Sequence, residues 1–171
     1  MPVSLLSPQN TQSQSDPSEH ASSLEAAQKL VQGRQFSAAI EALHKLLKSQ
    51  PNDPEALYMS AVCLRYTKQY HSALDTLARL KSVQPEHGRA HQEEGYNQRA
   101  LGDKEKALKA FDRACFYNPA LEASYRARID LHTASGERTR LAHVQEQLKQ
   151  LIALPKPLIA VVDLISMGKL L

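Results

Sequence analysis

The stretches QFSAAIEALHKLLKSQP (35–51), QYHSALDTLARLKSVQP (69–85) and DKEKALKAFDRACFYNP (103–119) have equal length, begin 34 residues apart and each end on proline. A repeat of this size is a strong constraint on the fold, because one unit cannot bury its apolar face alone and must stack on its neighbours. The same spacing relates Ala39, Ala73 and Ala107; Ala27, Ala61 and Gly95; Leu43, Leu77 and Phe111; and Pro51, Pro85 and Pro119. Small residues recur where two helices must approach closely, and the proline closes each unit by removing a donor and restricting the residue before it.

Each unit reads as two helices. Upstream of the three stretches lie SEHASSLEAAQKLVQGR, NDPEALYMSAVCLRYTK and EHGRAHQEEGYNQRALG, the second opening on Asn, Asp and Pro and the third ending on Gly. Low aromatic content, the absence of Trp and the dominance of Ala, Leu, Gln, Lys, Glu and Arg agree with an all-α chain. The expected organisation is an unordered lead-in over residues 1–18, helix pairs over 19–51, 52–85, 86–119 and 120–155, and a solitary helix over 156–171. The fourth unit departs from the pattern, with Ile129 and Leu141 in the small-residue slots and Pro155 two residues late, so a longer second helix and a wider helix separation are expected there.

The period, the small–small helix contact, Phe36 and Tyr70 three residues before the recurrent Ala, and the closing Pro resemble tetratricopeptide repeats. That resemblance implies a right-handed α-solenoid whose concave face is lined by the first helix of each unit. The residues it places there are Leu24, Gln28 and Val31; Glu55, Tyr58, Val62, Arg65 and Tyr66; Arg89, Gln92, Tyr96 and Arg99; and Arg126 and Asp130. Three tyrosines and four arginines against two acids in the peptide-binding set from Glu55 onward make an adhesive, somewhat positive groove, suited to a peptide carrying Asp or Glu. The opposing reading has these side chains only packing between units. A chaperone-tail clamp needs Lys, Asn and Arg at inward sites where this chain has Leu24 and Gln28, or Tyr58 and Val62, and is not expected.

The segments YNPALEASYRARIDLHTASGERTRLAHVQEQL and PLIAVVDLISMGKLL are also similar to the repeat arm of bacterial tetratricopeptide-repeat sulfotransferases. This implies an alternative function, a substrate-recruiting arm of a larger enzyme whose catalytic domain is absent here. The apolar segment 156–171, with Leu158, Ile159, Val161, Val162, Leu164, Ile165, Leu170 and Leu171, reads as part of a fifth unit that continues in a longer protein, or as a face two chains bury in a homodimer.

Nothing in the sequence writes a reaction. GRQF, GDKEK and GERTR are interhelix turns, and SMGKLL lacks the upstream Gly and following Ser/Thr of a phosphate loop. His87 and His91 lack a third ligand and read as two solvated histidines; Cys63 and Cys115, with no CxxC or CxxH spacing, read as free thiols filling helix contacts. No catalytic residue, metal or cofactor is expected. The net charge of +3 is scattered, which argues against nucleic-acid partners, including an RNA-binding helical repeat. With no signal segment and no apolar run of membrane-spanning length, a cytoplasmic protein without membrane contact is expected.

Overall fold

The computed structural model describes residues 17–166, and among these every regular element is a helix. In chain order they are α1 (Pro17–Gln32), α2 (Phe36–Ser49), α3 (Pro54–Tyr66), α4 (Tyr70–Val83), α5 (Gly88–Ala100), α6 (Lys104–Tyr117), α7 (Glu122–Ser135), α8 (Arg138–Ala153) and α9 (Lys156–Ser166). Most of the expected lead-in lies outside the described residues, and its last two, Pro17 and Ser18, open α1. Leu170 and Leu171 also lie outside them.

Recurrent residues meet recurrent surroundings. Ala27, Ala39, Ala61, Ala73 and Ala107 are all fully buried, with 0% exposure. Gly95 shows what happens when a partner changes size. Phe111 stands where earlier units carry Leu43 and Leu77, and a Cβ on Gly95 would fall 2.6 Å from its ring. The missing methyl makes room for the larger ring.

The closing prolines act as the dihedrals require. Gln50, Gln84 and Asn118 adopt φ/ψ of −129/80, −133/83 and −137/91, a matched set of extended residues ahead of Pro51, Pro85 and Pro119. Each still donates its N–H to the carbonyl four residues back, so the second helix ends without an orphan donor at its cap. The turn inside each pair is equally regular. Arg34, Lys68, Gly102 and Gly136 all have positive φ, of 57, 61, 82 and 70°, at the same 34-residue spacing.

Cores straddle unit boundaries. One cluster joins Ala27, Ala39, Leu43 and Leu46 to Ala56, Met59 and Cys63 of the next first helix; a second joins Leu57, Ala61, Leu77 and Leu80 to Ala90; a third joins Ala107 and Phe111 to Ala127. Every helix pair is thus completed by the helix after it, the condition for a solenoid of helix pairs. On one face α1 touches α3 and α3 touches α5, whereas no two second helices approach each other to that extent among the described residues. The first helices therefore approach one another along that side of the stack.

The fourth pair differs as its sequence demands. Ile129 and Leu141 are only partly buried where earlier units carry fully buried small residues, and α8 has 16 residues against 14 in α2, α4 and α6. Its core comes instead from Tyr125, Val144, Leu148 and Leu151 with Cys115, and Ile159 of α9 packs against it. From there α9 runs back to the third unit, where Asp163 meets Arg89 near the start of α5 and Asn118 at the end of α6.

Candidate functional site

The first helices hold the side chains expected on the inner face, and the structure gathers them into a ladder running across the units. Gln28 donates to Glu55 at 2.7 Å, and Gln92 to Ser124 Oγ at 2.9 Å. Arg65 spans to α5, donating from Nε to Glu93 Oε2 at 2.6 Å with its guanidinium 4.4 Å from the Tyr66 ring centre and 5.1 Å from that of Tyr96. Arg99 lies 5.5 Å from the Tyr96 ring centre and 3.9 Å from Asp130. Tyr66 in turn stacks on Phe36, with ring centres 4.5 Å apart.

Each of the four arginines therefore faces an acid: Arg65 Glu93, Arg89 Asp163, Arg99 Asp130 and Arg126 Glu122. Glu93, Glu122 and Asp163 did not figure among the sequence-derived groove residues, and they neutralise much of the positive character expected. Half-buried Arg65 and buried Glu93 form a pair that ties α3 to α5, so part of the set packs between units. Leu24 and Val31 pack against the first core cluster. Glu55, Tyr66, Arg99, Arg126 and Asp130 remain exposed.

Between the N-terminal ends of α3 and α5 opens a cleft of about 770 Å³. Asp53, Glu55 and Tyr58 line one side, and Gln84 to Arg89 with Asn118 the other. Burial pushes the Tyr58 phenol up to about 12, with the Glu93 carboxylate adding to the rise and Arg89 and Arg65 opposing it, so the hydroxyl stays neutral. Only Glu55, Tyr58 and Arg89 of the cleft were expected from sequence. The rest belong to unit junctions.

His87 and His91 are not the solvated pair expected. His87 Nδ1 accepts from the N–H of Ala90 at 3.0 Å, capping α5 as Asp53 Oδ1 caps α3 at 2.6 Å one period earlier. His91 is buried, bonded through Nε2 to the Pro85 carbonyl at 2.9 Å and stacked on Tyr117. Among the described residues no cluster of three His, Cys, Asp or Glu side chains has metal-holding geometry. Cys63 and Cys115 are buried, and burial pushes both thiols up to about 11. No described helix is long and apolar enough to cross a membrane.

Known proteins agree with this geometry. The family model for subunit 3 of the anaphase-promoting complex, or cyclosome, matches residues 32–114. A crystal structure of MamA superposes with a TM-score of 0.73 over 80% of each chain at 18% identity. The first TPR of Spaghetti (RPAP3), bound to the HSP90 peptide SRMEEVD, superposes at 0.66 over 71% of this chain and 96% of its own, at 17% identity. The fold is a tetratricopeptide-repeat solenoid. Small glutamine-rich tetratricopeptide repeat-containing protein 2 of Mycosarcoma maydis is 26% identical over 94 residues. Those residues are 55% of this chain, which spans only 27% of that relative's length. The matches concern the repeats, and none of them speaks for a sulfotransferase arm.

Proposed function

We propose that this chain is a protein-interaction module whose first-helix face takes an extended or helical peptide carrying Asp or Glu. The observation that supports the reading is the approach of aromatic rings and arginines of α3 and α5, Arg65 beside Tyr66 and Tyr96 and Arg99 beside Tyr96, with Tyr58 lining an open cleft. Tyr and Arg bury large area with directional hydrogen bonds, and an Arg guanidinium holds a carboxylate with two parallel bonds. The peptide bound to the similar RPAP3 repeat, SRMEEVD, is itself acidic. Here the donors would be arginines on α5 and α7, since the inward sites of a chaperone-tail clamp hold other residues.

Arg65 is a poor probe of this reading, because its removal strands the buried Glu93 carboxylate. Arg99 and Arg126 are exposed and separable from the core. A displayed peptide library selected on the full chain should enrich Asp and Glu, and Arg99→Glu with Arg126→Glu should weaken the selected peptides by about tenfold or more at an unchanged melting temperature. Enrichment without acidic residues, or binding indifferent to both substitutions, contradicts the reading. A homodimer through the exposed Leu158, Val161 and Leu164 is a further proposal, read out by solution mass: Leu158→Glu with Val161→Glu should turn a dimer into a monomer.

A further inference from the structure

α9 does more than continue the stack. Its Asp163 presents one oxygen to each of two donors: Arg89 donates to Oδ2 at 2.7 Å and Asn118 Nδ2 to Oδ1 at 2.6 Å. The receiving pair is built in advance of this contact. Asn118 is buried to 1% exposure, and its own oxygen accepts from the N–H of Ala120 at 3.0 Å, which fixes the amide with its nitrogen outward. Arg89 keeps a buried Nε that makes no hydrogen bond, leaving a donor in reserve. Both residues border the 770 Å³ cleft.

An open cleft of about 260 Å³ lies beside this contact, lined by Ala120 and Leu121 on one side and by Lys156, Ile159 and Ala160 of α9 on the other, and Leu158, Val161 and Leu164 are exposed. Ile159 is the apolar anchor of α9 in the fourth pair's core. A helix that leaves several large apolar side chains exposed opens at lower cost than a core helix. We infer that α9 is an internal ligand: Asp163 fills a carboxylate seat formed by Arg89 and Asn118, and must leave before an acidic side chain of a partner can enter it. The inference rests on the groove reading above for the identity of that partner.

The test uses the full chain carrying Asp163→Ala, with Asp163→Glu as the conservative control. Amide exchange across residues 156–166 reports docking, and a fluorescent peptide copying residues 156–166, added in trans, reports the seat. Asp163→Ala should speed exchange by about tenfold or more and bind the peptide about tenfold more tightly than the unsubstituted chain does. Adding Arg89→Gln should erase that gain, a peptide with Asn at the Asp163 position should not bind, and Asp163→Glu should keep the helix docked. Unchanged exchange overturns the latch. Faster exchange without trans binding overturns the seat, showing Asp163 to be merely structural. Because the probe is the chain's own helix, this outcome is read independently of whether library-selected acidic peptides engage Arg99 and Arg126.

Discussion

At the scale of single residues, the fold rests on matched volumes. Gly95→Ala places a methyl against the Phe111 ring and should cost about 1–3 kcal/mol in urea unfolding, whereas Gly95→Ala with Phe111→Leu, the pairing of the second unit, should recover most of it. The positive-φ residues make the opposite prediction. Lys68 holds a conformation that glycine adopts without penalty, so Lys68→Gly should raise stability by about 0.5–1 kcal/mol, seen as a higher melting temperature. The small positions were legible in sequence because their spacing is invariant. The strained turns were equally legible in principle, since Gly102 and Gly136 mark, at the same period, the slots that Arg34 and Lys68 occupy. His87 had a comparable signal, as it stands one period after the capping Asp53, but reading a histidine as a cap requires knowing that its ring is neutral and turned inward.

At the scale of helices, ion pairs set how one element sits on the next. Glu94 of α5 receives Lys81 of α4 at 2.7 Å and lies 3.5 Å from His91. Burial alone pushes the Glu94 carboxyl up, yet the hydrogen bonds and charges of His91 and Lys81 outweigh it and hold it at about 2, below its ordinary 4.5. A carboxyl depressed on folding stabilises above its unfolded value and loses that contribution as protons reach the folded state. Stability should therefore fall between pH 4.5 and about 2, and thermal melts of Glu94→Gln should fall less steeply across that window. His87 works at higher pH. Burial foremost, with the nearby charges of Arg89 and His91, holds its ring below the ordinary 6.5, and the neutral ring caps α5, so its contribution is complete above 6.5 and declines as pH drops through the folded value. Pairs such as Arg65–Glu93 were hidden from sequence because their partners lie on different helices, and charge alone does not say which acid an arginine will meet.

At the scale of the whole molecule, closer approach of the first helices on one side makes a face that no single unit owns. The period in the sequence foretold that stack, together with its alternating helices, because stacking follows from residues of matched size in matched places. The path of α9 was not foretold. Its apolar composition suits a fifth unit, and only the meeting of Asp163 with Arg89, 74 positions apart, shows it turning back to the third unit. Amide exchange of the full chain with and without a library-selected acidic peptide tests the central claim most directly. The account predicts added protection on α3, α5 and α7 near Tyr58, Tyr66, Tyr96, Arg99 and Arg126, with α4 and α6 unchanged; protection confined to the second helices would contradict it.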